Sequence, residues 1–215
     1  RGRGRGTRGS YLASSFAAMA RPRSLSGTIP SMETSHHELK DNTIIIVLGA
    51  SGDLAKKKTL PALFGLYRQH FLPRDVKIVG YARTKMNREE FHKRATSYIK
   101  IPEDDAEMSK ALEEFKELLT YIAGSYDDGE SFDKLNEHLE SIESNYQSKE
   151  SNRLFYLALP PTVFIPVAKN VKEHCYVTKG GINRIIIEKP FGKDLESARE
   201  LLSSVKQYLP GRPLE

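Results

Sequence analysis

The sequence predicts an α/β fold in which helices cover both faces of a parallel sheet. Short β-branched or apolar runs alternate with stretches of helical spacing, an order that is typical of parallel sheets. The first run, "TIIIVLG", ends in a glycine-rich turn that opens a helix. With 39% hydrophobic and 28% charged residues, the composition is that of a globular protein.

The helix after the first strand should be irregular, because Pro61 interrupts its apolar side and is expected to bend it or shift its register. The strands and this helix have the lengths of βαβ units. The predicted elements are strand 43–49, helix 54–70, strand 76–83, a mostly acidic helical region over 87–147, strand 153–161, a helix carrying Val163, Val167 and Val171, strand 183–192 and helix 194–209.

Residues 1–42 are predicted to be a disordered basic tail, because Gly, Arg, Ser, Ala and Pro dominate them without a periodic apolar face. Six arginines and no acidic residue fall within 1–32. Without these six, the chain has 27 basic residues against 28 acidic ones. The predicted domain, 43–210, is therefore nearly neutral, and its charge gives no reason to expect nucleic-acid binding.

Three interpretations of the tail stay open. Arg-Gly repeats occur in RNA-binding segments, whereas an Arg- and Ser-rich leader without acidic residues resembles an organelle transit peptide. The third interpretation is that the tail is not native structure and that Met19 or Met32 is the true start. We expect a cytoplasmic protein unless the tail is a genuine leader.

The single cysteine, Cys175, cannot form an internal disulfide or a cysteine-based zinc cluster, and it fits a reducing compartment. No run of 18 apolar residues is present, so no membrane-spanning helix is expected. No spacing typical of metal ligands appears, and the six histidines lack an acidic partner at a strand end. We therefore predict no metal site and structural roles for the histidines.

The turn after the first strand reads "GASGDLAKKK". Glycines permit positive φ and let an anion approach the backbone. The helix that opens at Asp53 should present unpaired N–H groups at its positive end. A diphosphate fits such a turn, and the three lysines add positive charge. The spacing G-x-x-G-D is neither G-x-G-x-x-G nor a Walker A loop, which argues against an ATPase.

Arg83 follows the second strand in "VGYAR". Folds that prefer NAD place an acidic residue near this position to hold the ribose 2′-hydroxyl. A guanidinium instead offers forked donors to a 2′-phosphate and a planar face to adenine. The sequence therefore predicts NADP rather than NAD, unless Arg83 is an ordinary surface arginine.

Lys189 is the cation at the tip of the "RIIIE" strand, and Pro190 follows it. Ligands of open parallel sheets bind beyond the carboxyl ends of the strands. A lysine in that place can donate a hydrogen bond to a hydroxyl or phosphate of a substrate. The alternative is a surface lysine at a strand exit, with its stem packed on the protein and its ammonium in water.

Four strings in this order and spacing, "GASGDLAKKK", "VGYAR", "RLFYLALPPTVF" and "RIIIEKPFG", resemble the N-terminal coenzyme domain of the glucose-6-phosphate dehydrogenase family. The resemblance covers about residues 43–208. It implies a Rossmann-like domain of an enzyme that oxidises glucose 6-phosphate to 6-phosphoglucono-lactone with NADP in the pentose phosphate pathway. It also implies homo-oligomers for the full-length members.

The resemblance implies roles for individual residues. Arg83 would hold the 2′-phosphate, and Lys189 would contact both substrate and coenzyme. Phe164 stands where the family often has Tyr, so one hydroxyl is missing from the expected coenzyme contacts. The coenzyme-binding residues implied by the motifs are Gly49, Ala50, Ser51, Gly52, Asp53, Leu54, Ala55, Lys56, Arg83, Leu159, Pro160, Pro161, Phe164 and Lys189.

The family's catalytic histidine belongs to an "RIDHYLGKE"-like segment, and this sequence has "GRPLE" in its place. The resemblance therefore predicts no catalytic residue in this chain and no β+α substrate and dimerisation domain. A fragment of the enzyme is expected, with affinity for NADP and negligible turnover. The alternative is a non-catalytic NADP-binding module.

Overall fold

The sheet has five parallel strands in the order β3–β2–β1–β4–β5. The computed structural model describes residues 39–147, 150–178, 180–188 and 195–208. The predicted parallel sheet is confirmed, and its strand order reverses at the central strand. The strands are β1 (Thr43–Leu48), β2 (Lys77–Ala82), β3 (Leu119–Ala123), β4 (Asn152–Leu157) and β5 (Asn183–Ile187).

Helices cover both faces of the sheet, as the sequence predicts. Three of them, α1, α2 and α3, pack in the hydrophobic cluster on one face, and α4, α5 and α6 pack in the cluster on the other. In the described part of the chain, no helix is long and apolar enough to cross a bilayer. The helices are α1 (Leu60–Arg68), α2 (Arg88–Thr96), α3 (Ala106–Lys116), α4 (Gly129–Glu143), α5 (Phe164–His174) and α6 (Leu195–Lys206).

The central strand β1 is buried along its whole length. Its side chains alternate between the two clusters, with Ile45 and Val47 facing α1 and Ile44, Ile46 and Leu48 facing the opposite helices. A strand covered on both faces needs apolar residues at successive positions, which the β-branched run supplies. Because β1 pairs with both β2 and β4, its carboxyl end opens at the middle of the sheet edge.

The helix after β1 starts at Asp53 and widens into a π-helical segment, Ala55–Thr59, that runs directly into α1. Its wider turn is closed by the Leu60 N–H, which donates to the Ala55 carbonyl five residues earlier. Pro61, in the first turn of α1, has no N–H to donate. A π-bulge allows the helix to continue past a residue that cannot donate a backbone hydrogen bond. The expected shift of register at Pro61 therefore takes the form of one widened turn.

The prediction of a helical region over 87–147 is wrong at residues 119–123, which form β3. This edge strand has five residues, of which Leu119 alone is fully buried. Such a strand shows neither the alternation of a half-buried strand nor the apolar run of a central one. Thr120, Tyr121 and Ile122 are residue types that are enriched in strands. The run is short and partly exposed, however, and its pairing with β2 fixes its conformation.

The folded domain begins before residue 43. Leu39 packs against the cluster that contains α1. The Asn42 N–H donates to the Asp75 carboxylate at 2.7 Å, and the Asn152 side chain donates to the Asp41 carbonyl at 3.0 Å. Residues 39–42, which the prediction assigns to the tail, thus pack on the domain. The remainder of the predicted tail lies outside the described residues.

A buried ion pair fastens α4 to the sheet. Arg153 of β4 is 3% exposed, and its Nε lies 2.7 Å from Oε1 of Glu143, the last residue of α4. The same guanidinium donates to the Cys175 carbonyl at 2.7 Å and to the Asn136 side chain. Removing one partner of such a pair leaves an uncompensated buried charge, which is strongly destabilising.

Replacing Arg153 with Met is expected to lower the free energy of unfolding by about 3 kcal/mol, because Glu143 and the Cys175 carbonyl lose their partner. The matched control is Arg88→Met, which breaks an exposed pair with Glu117 and should cost under about 1 kcal/mol. Urea unfolding followed by circular dichroism measures both variants. Equal losses would contradict a special contribution from the buried pair.

His138 should make stability depend on pH. Its Nε2 lies 2.9 Å from the Thr120 hydroxyl, and burial lowers its pKa. The unfolded chain has the higher histidine pKa, about 6.5, so it binds the proton more readily than the folded chain. The contribution of His138 to stability is therefore complete above about pH 6.5 and decreases as the pH falls towards the lowered pKa.

His138→Gln is expected to weaken the loss of stability between neutral and mildly acidic pH, because a neutral amide does not titrate. The measurement is urea unfolding of parent and variant across that pH range. Exposed His70, which has a φ of 57°, provides a control as His70→Asn, since asparagine tolerates this conformation. If the His138 and His70 variants change the pH profile equally, the assignment to His138 is refuted.

Candidate functional site

The turn after β1 is tied to the end of β2 by backbone hydrogen bonds. The N–H groups of Gly49 and Ala50 both donate to the Tyr81 carbonyl, at 2.8 and 3.2 Å. Gly49 has a φ of 90°, which side-chain-bearing residues rarely adopt. A Cβ on Gly49 would also collide with the Ala158 carbonyl oxygen and lie 2.8 Å from Leu159 Cδ2. Only glycine lets the turn approach both neighbouring strands.

The helix that follows this turn has no side-chain cap. Its first intrahelical hydrogen bond runs from the Lys56 N–H to the Gly52 carbonyl at 3.1 Å. The N–H groups of Asp53, Leu54 and Ala55 therefore have no carbonyl within the helix to which they can donate. By contrast, α2, α3 and α4 are each capped by their own chain. The capping side chains are Asn87, Asp105 and Asp128. The helix start after β1 is therefore open to an external anion.

Two lysines neutralise the carboxylate in this turn. Asp53 lies 2.7 Å from the Lys57 ammonium and 3.0 Å from that of Lys56. The hydrogen bond from Lys57, followed by that from Lys56, lowers the pKa of Asp53 to about 2. Asp53 in turn raises the pKa of Lys57. Both ammonium groups also lie over the Tyr98 ring, 5.4 and 5.7 Å from its centre.

Ser51 joins the turn to the neighbouring elements. Its hydroxyl accepts a hydrogen bond from the Thr84 hydroxyl at 3.2 Å, and its carbonyl accepts one from Arg94 Nε at 2.7 Å. Thr84 follows Arg83 at the end of β2, whereas Arg94 belongs to α2. Arg94 was not predicted as a site residue, because a helix position among other charged residues gives no sign that its side chain reaches the turn.

Arg83 immediately follows β2, as the sequence predicts, and its guanidinium lies 5.3 Å from the centre of the Tyr126 ring. Tyr126 is 6% exposed, and the buried Asn170 side chain donates to its carbonyl at 3.1 Å. Burial raises the pKa of Tyr126, and Arg83 opposes that rise. Tyr126 was not predicted as a site residue, because it follows β3, a strand that was not predicted from the sequence.

A cleft of about 380 Å³ opens beside the turn at the carboxyl edge of the sheet. Its volume falls within the range of small-molecule sites. The predicted residues Leu159, Pro160 and Pro161 line it, whereas Phe164 is 1% exposed and is buried in the core. Lys189 and Pro190 lie outside the described residues. The residues lining the cleft are Gly52, Asp53, Leu54, Ala158, Leu159, Pro160, Pro161 and Glu188.

Glu188 brings a carboxylate to the cleft from the end of β5. The Glu188 carboxylate acts electrostatically on the hydroxyl of Tyr156, a fully buried residue of β4. Burial, followed by the neighbouring carboxylate, raises the pKa of Tyr156. Glu188 precedes Lys189 in "EKPFG", but the sequence analysis singled out only the lysine.

The strand order, the reversal at β1 and the open turn define a dinucleotide-binding domain of the Rossmann type. The profile of the family described as "Glucose-6-phosphate dehydrogenase, NAD binding domain" matches residues 46–212. The chain belongs to the glucose-6-phosphate dehydrogenase family, and the resemblance inferred from its motifs is confirmed.

Individual relatives agree with the family profile. Glucose-6-phosphate 1-dehydrogenase of Emericella nidulans is 59% identical over 169 residues, which cover 79% of this chain and 32% of that protein. Glucose-6-phosphate 1-dehydrogenase 6, cytoplasmic, of Arabidopsis thaliana is 52% identical over 166 residues, or 75% of this chain and 32% of that protein.

A solved structure described as glucose-6-phosphate dehydrogenase in complex with its substrate glucose-6-phosphate has a TM-score of 0.73 and 45% identity to this chain. The match covers 78% of this chain and 34% of that one. The chain therefore spans about a third of the length of the relatives it matches.

Gly49→Ala is expected to lower the free energy of unfolding by about 2 kcal/mol or more, because the new Cβ meets positive φ and the Ala158 carbonyl together. Gly65→Ala is the matched control. A Cβ at that helical position meets nothing within 4 Å, so stability should rise by about 0.5–1 kcal/mol. Urea unfolding measures both, and a neutral Gly49→Ala variant would contradict the described turn.

Proposed function

We propose that this chain is the coenzyme-binding part of a glucose-6-phosphate dehydrogenase and that it binds NADP. The observation that carries the proposal is the uncapped helix start after β1 beside a guanidinium at the end of β2. Among the described residues, Arg83 has no carboxylate partner. A ligand that carries both a diphosphate and a further phosphate can bind at the helix start and at the guanidinium together.

The diphosphate of NADP is proposed to bind at the turn formed by residues 49–56. Gly49 brings the backbone close, and the N–H groups at the helix start offer hydrogen bonds and the positive end of the dipole. Asp53 does not repel the ligand strongly, because Lys56 and Lys57 already compensate its charge. Anion binding would draw Lys56 towards the ligand.

The adenosine end is proposed to lie over the end of β2. The Arg83 guanidinium, 5.3 Å from the centre of the Tyr126 ring, offers forked donors to the 2′-phosphate. The opposite end of the coenzyme would lie over β4 and β5. There, Leu159, Pro160 and Pro161 supply an apolar wall, and Glu188 supplies a hydrogen-bond acceptor. Phe164 supports this wall from the core.

In the proposed reaction, glucose 6-phosphate is oxidised to 6-phosphoglucono-lactone, and NADP, when bound, accepts the hydride. Lys189 is proposed to donate hydrogen bonds to substrate and coenzyme. The substrate hydroxyl must also give up a proton to a base. None of the histidines in the described part of the chain lines the cleft. We assign no catalytic base to these residues.

The position of these histidines favours a second candidate, a non-catalytic NADP-binding module. His92, His138 and His174 contact Leu119, Thr120 and Asp133 respectively, all away from the cleft. The absorbance of NADPH formed with glucose 6-phosphate distinguishes the two candidates. Turnover by the chain would contradict the module, whereas NADP binding without turnover would support it.

Further proposals follow from the family. The coenzyme domain is proposed to span 43–210 together with the packed residues 39–42. NADP and glucose 6-phosphate are the proposed small-molecule partners, in the pentose phosphate pathway, and homo-oligomers are proposed for the whole protein. A cytoplasmic location is supported by the Arabidopsis thaliana relative named as cytoplasmic. An organelle is the alternative if the basic tail is a leader.

Arg83→Ala is expected to weaken NADP binding about tenfold and to leave NAD binding almost unchanged, because a charge-assisted hydrogen bond to the 2′-phosphate is lost. Isothermal titration calorimetry of the folded chain measures both affinities. Arg68→Ala is the control, since it removes the same charge at the far end of α1. If the preference for NADP survives in the Arg83 variant, the assigned role of Arg83 is wrong.

A further inference from the structure

Arg94 contacts the glycine turn although it belongs to α2. Its Nε donates to the Ser51 carbonyl at 2.7 Å. A guanidinium has five N–H donors in a planar fork, and within the described residues this is the hydrogen bond that the Arg94 side chain makes. The group is therefore fixed in position by one donor while its other donors stay available.

Two other arginines are paired with acidic side chains. Arg88, on the same helix, pairs with Glu117 at 2.8 Å, and Arg153 pairs with Glu143 at 2.7 Å. In the described part of the chain, neither Arg83 nor Arg94 has a carboxylate partner. We call these two residues the arginine pair. Arg68 has no carboxylate partner among the described residues either, and its guanidinium lies 3.6 Å from the Met108 sulfur. What distinguishes the arginine pair is therefore its position beside the glycine turn.

Ser51 connects the two members of the arginine pair. Its carbonyl holds Arg94, and its hydroxyl accepts the hydrogen bond from Thr84, the residue after Arg83. The Thr84 backbone is held in turn, because the Tyr121 hydroxyl donates to its carbonyl. Tyr121 also packs on Phe91 of α2, with ring centres 4.8 Å apart. Hydrogen bonds and ring packing thus hold the turn, the end of β2 and α2 against one another.

Two cations attached to the same turn favour the binding of an anion that both can reach. A phosphate monoester carries a charge of about −1.5 to −2 near neutral pH and presents several acceptor oxygens. One guanidinium neutralises only part of the phosphate's charge, whereas two can neutralise it. A free diphosphate at the helix start would not require a second arginine on α2.

We propose that Arg94 is a specificity-determining residue that supplies a second guanidinium to the 2′-phosphate of NADP. The inference rests on the proposed function and extends it to a residue outside the family motifs that the sequence displays. Ser51 positions Arg94 through its carbonyl, and Arg83 approaches the same phosphate from the end of β2.

The competing explanation is that Arg94 only braces the turn through Ser51. The two explanations predict different effects of an Arg94 substitution on the affinity for NAD, which lacks the 2′-phosphate but uses the same turn. Loss of a residue that only stabilises the turn weakens the binding of both coenzymes equally. Loss of a residue that binds the 2′-phosphate weakens the binding of NADP alone.

The test is calorimetric titration of the folded 215-residue chain with NADP, NAD and adenosine 2′,5′-bisphosphate. In Arg94→Gln, affinity for NADP and for the bisphosphate is expected to fall roughly three- to tenfold, with NAD affinity nearly unchanged. Arg94→Lys should retain more of the preference than Arg94→Gln, because it keeps the charge but loses the fork. The matched control Arg88→Gln should leave all three affinities unchanged.

An equal loss of NADP and NAD affinity in Arg94→Gln would overturn the proposal in favour of the brace, and unchanged NADP affinity would overturn it outright. If Arg94→Gln fails to fold, Arg94→Lys provides the same comparison of the two coenzymes. If the parent chain binds neither NADP nor the bisphosphate, the proposed function itself fails, and this inference fails with it.

Discussion

The site depends on one backbone contact, in which the N–H groups of Gly49 and Ala50 converge on the Tyr81 carbonyl. This contact fixes the turn after β1 against the end of β2, and it is possible only because Gly49 adopts a φ of 90° and carries no Cβ. It brings the start of the following helix to the same place as Arg83. A side chain at position 49 would push the turn away from β4 and disturb the cleft that opens there.

Some helix starts and arginines receive hydrogen-bond or charge partners from the protein itself, and others do not. Those at the candidate site belong to the second group. The helix starts at Asn87, Asp105 and Asp128 are capped by their own side chains, and the buried Arg153 is surrounded by acceptors. The helix start after β1 has no such cap, and neither has that of α5, which follows the cleft residues Pro160 and Pro161. Uncapped N–H groups cost stability in the absence of a ligand, so this arrangement is understandable where a ligand supplies the acceptors. The same contrast separates the arginine pair from Arg88.

The sequence predicted what depends on local pattern, namely the buried strands, the glycine turn, the position of Arg83 and the irregular helix at Pro61. It did not predict β3, because a five-residue, partly exposed run does not stand out within a mostly acidic helical region, although three of its residues favour strands. Tyr126 was missed with β3, and Arg94 was missed because its contact joins α2 to a turn 43 residues earlier in the chain. Glu188 was passed over because its partner Tyr156 lies on another strand. These omissions all involve contacts between elements, which periodicity does not encode.

The central claim is that the open helix start after β1 holds the phosphates of NADP. Nuclear magnetic resonance of the isotopically labelled chain tests it most directly, since backbone amide shifts report hydrogen bonding at each residue. On titration with NADP, the account predicts the largest shift changes at Ser51, Asp53, Leu54 and Ala55, with little change at the capped helix starts. Changes that spare this turn, or that are equally large after Asp105 and Asp128, would contradict it.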